Sequence, residues 1–135
     1  MSELFQLLAQ NAALKKENPL SPKDIIGAQK ELTHAGFPII PEQFLLLLRQ
    51  FNGIKGEDGA VLGISPKNKL LDILVFNKAH NASAQKIILG YDDFAFLVFD
   101  SAEQKYFLID RTDGTELDDF LESEFSSAVS NILHF

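Results

Sequence analysis

Phe94-Ala95-Phe96-Leu97-Val98-Phe99-Asp100-Ser101-Ala102-Glu103-Gln104-Lys105-Tyr106-Phe107-Leu108-Ile109-Asp110 is the stretch that decides the fold. Two runs rich in aromatic and branched side chains, Phe94 to Asp100 and Lys105 to Asp110, flank a polar spacer of hairpin length, which predicts a pair of antiparallel strands. Downstream, Asp113-Gly114 reads as a two-residue turn of the primed type, so Glu116 to Phe120 is expected to return as a further strand despite the poor β-propensity of Asp118-Asp119. Upstream, Lys86 to Tyr91 and Gly59 to Ser65 are two more strand candidates. Leu70 to His80 stays open between strand and short helix, because so brief an apolar run has no decisive period. Phe125, Ala128, Val129, Ile132 and Leu133 recur at helical spacing behind a candidate cap at Ser123, predicting a closing helix.

The first half reads as helices. Leu4, Leu7, Leu8 and Leu14 suggest one helix over Ser2 to Lys16, ended by Asn18-Pro19 because proline disfavours a helical residue before it. Ser21-Pro22-Lys23-Asp24 supplies a capping hydroxyl, a proline at the first helical position and an acid in the first turn. The helix it starts carries Ile25, Ala28, Leu32 and Ala35 and is expected to end at Gly36. A third helix, from Pro41, has Phe44, Leu47, Leu48 and Phe51 on one face, widened by Leu45 and Leu46, with Asn52-Gly53 as its stop. Helices, then a meander, then a helix define an α+β domain whose antiparallel sheet is expected to hold about four to six strands.

At 135 residues, 46% of them apolar, the chain fits a single domain with a core large enough to fold without disulfides or a structural metal. We expect one domain over 1–135, with a helical extension over 1–18 and a core over 21–135. No cysteine is present, which removes thiolate nucleophiles and thiolate metal sites and fits a reducing compartment. Met1 to Leu20 has no basic leader region, and no apolar stretch approaches the ~18 residues of a membrane span, so a soluble cytoplasmic protein is expected, with no membrane partner.

Charge is the most informative pattern. The net charge is −7, which argues against a nucleic-acid partner, since that affinity rests on neutralising phosphates. Residues 1–68 are neutral, with seven bases and seven acids, whereas between Asp92 and Glu124 eleven acids face only Lys105 and Arg111. Such clustering creates a field able to steer a basic protein. The candidate partner-binding residues are Asp92, Asp93, Glu103, Asp113, Glu116, Asp118, Asp119 and Glu122.

Signatures of catalysis are missing from the sequence. His34, His80 and His134 lie far apart without metal-ligand spacing, and there is no nucleophile elbow, P-loop or dinucleotide fingerprint. Gly53-Ile54-Lys55-Gly56 lacks the spacing and hydroxyl of a phosphate loop. With Gly114 as the turn glycine of a calcium loop, ligand positions would fall on Ile109, Arg111 and Asp113, two of which cannot bind calcium. Adjacent acids such as Asp92-Asp93 or Asp118-Asp119 point to opposite faces of an extended chain, so a carboxylate hydrolase is the remote alternative. No catalytic, cofactor-binding or metal-ligating residue is assigned.

Ile40-Pro41, Phe44 and Asn52-Gly53 resemble the core signature of the SUKH superfamily: an apolar-proline helix start, an aromatic one turn on, and an Asn-Gly exit. Gly63, Leu89-Gly90-Tyr91-Asp92, Leu97-Val98-Phe99-Asp100 and Tyr106-Phe107-Leu108-Ile109-Asp110 resemble that family's order of elements over roughly residues 21–135. The superfamily includes the Smi/Knr yeast regulators of cell-wall synthesis and many bacterial immunity proteins. The resemblance implies an α+β fold and non-enzymatic work, commonly neutralising a polymorphic toxin, often a nuclease, by direct binding. Pro41, Phe44, Asn52, Gly53 and Gly63 read as architectural, because proline initiates a helix and Asn-Gly stops one. The expectation is an antitoxin whose acidic surface occupies a toxin's basic groove. A regulatory or scaffolding role is the alternative.

Overall fold

The computed structural model describes Ser2 to Phe135. In chain order the elements are α1 (Ser2–Gln10), β1 (Lys15–Lys16), α2 (Pro22–His34), α3 (Glu42–Leu48), β2 (Ile54–Lys55), β3 (Gly59–Val61), α4 (Ile73–His80), β4 (Lys86–Asp92), β5 (Ala95–Asp100), β6 (Lys105–Asp110), β7 (Glu116–Leu121) and α5 (Phe125–Leu133). The strands form one antiparallel sheet in the order β1-β2-β3-β4-β5-β6-β7, so sequence order is also spatial order across the sheet. The α+β architecture is as expected, but the sheet has seven strands, because two short pairings, β1 and β2, extend it at one edge. Among the described residues no helix is long and apolar enough to cross a membrane.

The first helix is shorter than the leucine spacing predicts. Helix α1 ends at Gln10, where the Asn11 side chain accepts from the Ala13 amide, and the Lys16 ammonium donates back to the carbonyls of Leu8 and Asn11 at 2.9 Å each. Those bonds satisfy carbonyls that a helix terminus leaves orphaned, and they free Lys15–Lys16 to pair with β2. Leu4, Leu8, Leu14 and Leu20 are buried in the same cluster as the rest of the core.

Two expected caps differ. Pro22 sits in the first turn of α2, but the Ser21 side chain makes no capping bond. The run into α5 is capped by Glu124, whose carboxylate accepts from the Leu121 amide, and Ser123 lies within a 3-10 turn over Glu122–Glu124. The open segment 70–80 becomes a 3-10 turn followed by α4, because Asp72 accepts from the amides of Leu74 and Val75. The loop at Gly114 also differs from a two-residue turn. Asp110 and Thr115 close a four-residue loop, with Gly114 at φ +75° donating to the Asp110 carbonyl.

Strand β3 covers only half of β4, and α4 completes the edge. The Asn77 amide, fully buried, accepts from the Ile88 N–H at 2.8 Å and donates to the Ile88 carbonyl at 3.0 Å, in the place of a neighbouring strand. Asn52 does the same beyond α3. Its amide accepts from the Ile64 N–H and donates to the Ile64 carbonyl, both at 2.8 Å. Gly63 lies against it, where a Cβ would come within 2.5 Å of the Asn52 carbonyl oxygen. Gly53 follows at φ +109°, and Gly63 bonds across to Leu71 and Ile73. The expected strand over Gly59 to Ser65 therefore stops at Val61, and Gly63 stands in an isolated bridge to Asp72.

Pairing register separates the two faces of the sheet. Phe99 lies opposite Tyr106, and Tyr106 opposite Phe120, on the face that receives Phe125 of α5. Ala128, Val129, Ile132 and Leu133 of the same helix are buried, as its periodicity predicts. Tyr106 is fully buried, and its hydroxyl donates to the Gln43 carbonyl oxygen at 2.8 Å, avoiding the ~1–3 kcal/mol cost of an unpaired polar group. The opposite face carries Tyr91 and Phe96, packed by Phe76 of α4 and by the Arg111 guanidinium 4.9 Å above the Phe96 ring.

Candidate functional site

The acids of the second half divide into two groups by what their carboxylates do. Strands β4, β5 and β6 each end in an aspartate that builds the following turn. Asp92 accepts from the amides of Phe94 and Ala95, Asp100 from Ala102 and Glu103, and Asp110 from Thr112 and Asp113. In each case the amides lie two and three residues on, a local geometry that short acidic side chains favour at turns. The signal is present in the sequence as an aspartate closing three successive apolar runs.

Asp92 is thereby removed from the set of free acids. Besides the two amides, its second oxygen meets His134 Nε2 at 2.9 Å, and its side chain is 12% exposed. Arg111 Nη1 donates to the Asp92 carbonyl, locking this turn to β6. Asp93 and Phe94 stand at its exposed tip, and Phe94 is 75% exposed. Asp113 lies at the same end of the sheet, and bonds from Thr115 hold its carboxyl below the usual carboxylate value, the opposite of what a general acid needs. Glu103 is in the β5–β6 turn, at the other end.

Between the two ends runs β7, the free edge of the sheet. Glu116, Asp118 and Asp119 are exposed along it, and Glu122 follows immediately. Asp118 lies opposite Leu108 and Asp119 opposite Phe107, so the two project to different faces and do not converge on one substrate atom. Asp119 meets Lys105 at 3.5 Å. Glu122 accepts from the Gln43 amide, whose oxygen receives the Tyr106 hydroxyl, so this carboxylate is tied by a side-chain relay to the core.

Two apolar side chains interrupt the acids. Leu117 is 54% exposed and Leu121 53% exposed, both on β7. Charge periodicity does not predict them, because an apolar residue in a strand reads as inward-facing, and the bulge opposite Leu108/Ile109 breaks that alternation beside Leu117. The arrangement can therefore engage a partner by charge and by apolar contact at once. Among the described residues no group of three or more His, Asp or Glu side chains is arranged to hold a metal ion. No protein-family model and no curated protein matches the chain.

Proposed function

We propose that this protein is a non-catalytic interaction module that binds a basic protein along β7, and that the partner is a toxin domain of the nuclease type. One observation carries the reading: a free sheet edge presents Glu116, Asp118, Asp119 and Glu122 around two half-exposed leucines, with Lys105 the one base in contact among the described residues. Charges on an edge strand also serve to block edge-to-edge aggregation. That role accounts for the acids but leaves Leu117 and Leu121 without a purpose, since exposed leucines work against it. Carboxylates spaced along a strand suit a groove that normally holds phosphates, raising the association rate, while the leucines supply the buried contacts that affinity requires. The SUKH-like order of motifs supports the toxin-neutralising version of this reading.

A regulatory or scaffolding role would favour a different surface. An apolar groove of about 580 Å³ lies between α2 and the segment leading into α3, with Ile26 and Ile39 exposed on its rim. Capture from a lysate of the native cell distinguishes the two. The wild type, the triple variant Asp118→Lys/Asp119→Lys/Glu122→Lys and the variant Ile26→Asp are compared at low and high salt. The β7 reading expects a basic protein bound by wild type and Ile26→Asp, lost from the triple variant and weakened by salt. A partner lost only from Ile26→Asp moves the interface to the groove.

A further inference from the structure

At the opposite edge of the sheet from β7, lysines collect around a cavity of about 560 Å³. Lys15, Lys16, Lys55 and Lys67 line it, and Glu17 is the one acid among its walls. Both Glu17 oxygens are already engaged, accepting from the amides of Lys67 at 2.6 Å and Asn68 at 2.8 Å. Lys16 is committed to the carbonyls that end α1, and Lys55 donates to the Gly56 carbonyl. Lys15 and Lys67 make no side-chain hydrogen bond or ion pair among the described residues. A local excess of positive charge in a chain of net charge −7 is out of keeping with the rest of the molecule.

The pairing of β1 with β2 sharpens the point. Lys15 lies directly opposite Lys55, so two ammonium-bearing chains leave the same face of the ladder side by side. Like charges in that position repel. Ser65, on the rim, is held at φ +46°, in the left-handed region that favours glycine, and such strain collects at ligand clamps. Pro19, Pro66 and Leu71 give the cavity an apolar wall beside the lysines.

We propose that this cavity binds a small phosphorylated molecule carrying at least two negative charges. The volume falls within the ~300–1,000 Å³ usual for small-molecule sites and exceeds what a lone phosphate needs. Lysines bind phosphate as point charges, and Lys15, Lys16, Lys55 and Lys67 all line the cavity. A bound anion would relieve the Lys15–Lys55 repulsion. The site is separate from β7 and does not depend on the reading of that edge.

Calorimetric titration at low ionic strength, with pyrophosphate, ADP and citrate as probes, tests the proposal. Wild type should bind pyrophosphate and ADP, with affinity falling on addition of salt. Lys15→Ala/Lys67→Ala should lose about tenfold or more, the loss of a charge-assisted contact. Both side chains are exposed and unbonded, so the variant should keep its fold. A second readout is independent of heat: Lys15→Ala should melt higher than wild type without ligand, and gain less from pyrophosphate. Absence of binding at millimolar pyrophosphate and ADP, or equal binding by the double variant, would overturn the proposal. Citrate binding as tightly as pyrophosphate would overturn the assignment of phosphate.

Discussion

Asn52 holds more of the fold than its place in the chain suggests. As the first half of an Asn-Gly pair it reads as the stop of α3, but that helix ends at Leu48 with Arg49 as its cap, and Gly53 at φ +109° turns the loop beyond it. The Asn52 amide clamps both polar groups of the Ile64 backbone, twelve residues away, a contact no local pattern announces. Asn52→Ala should therefore cost about 2–4 kcal/mol in denaturant unfolding, because two buried backbone groups lose their partners. Gly53→Val should lose about 1 kcal/mol or more, since a β-branched residue is strained at that φ and would press on Leu71. Gly63→Ala should be at least as damaging, its Cβ meeting the Asn52 carbonyl. An unchanged midpoint in any of the three would contradict the described junction. Tyr106 makes a pH-dependent prediction. Burial pushes its phenol above the ordinary 10.0, and Glu122 adds to the effect. The folded state thus favours the neutral phenol, so its contribution to stability is full below pH 10.0 and is lost as the pH rises past that value toward the folded one. Wild type should lose stability above that pH more steeply than Tyr106→Phe. Identical alkaline profiles would contradict the buried phenol.

Elements were legible where period and length agreed. The pairing of β5 with β6 and the buried stripe of α5 follow from runs long enough to have a period, whereas β1 and β2, two residues each, carry no period at all. Segment 70–80 was open because its helix is specified by Asp72 as a cap and by Asn77 reaching the β4 edge, not by an apolar stripe. The candidate site was legible as charge and not as geometry. Three turn-ending aspartates look in sequence like Glu116, Asp118 and Asp119, yet only the latter leave their carboxylates free of the adjoining turn. A direct check is to substitute one of each kind. Asp110→Ala should destabilise by about 1–2 kcal/mol through loss of two amide bonds. Asp118→Lys/Asp119→Lys/Glu122→Lys should stay cooperatively folded and lose about 1–2 kcal/mol, where a lysine at 119 faces Lys105 and where Gln43 loses its bond to Glu122. Loss of cooperative unfolding in the triple variant would mean that these acids are structural.

Across the whole molecule, the meander turns a gradient in sequence into a gradient in space. Because the strands lie side by side in chain order, the lysines of β1 and β2 end at one edge and the acids of β7 at the other. Net charge alone does not distinguish this polarised molecule from one uniformly covered in acid. Polarity of this kind orients an approaching basic protein toward β7, and the half-exposed Leu117 and Leu121 lie where it would land. On the proposed reading this edge, and not the α2–α3 groove, is the binding surface. The most direct test is site-specific photo-crosslinking in a lysate of the native cell, with the probe placed at position 121 in one sample and position 26 in another. A crosslink to a basic protein is expected from position 121, absent at position 26 and abolished at high salt. A salt-resistant crosslink from position 26, with none from 121, would contradict that reading.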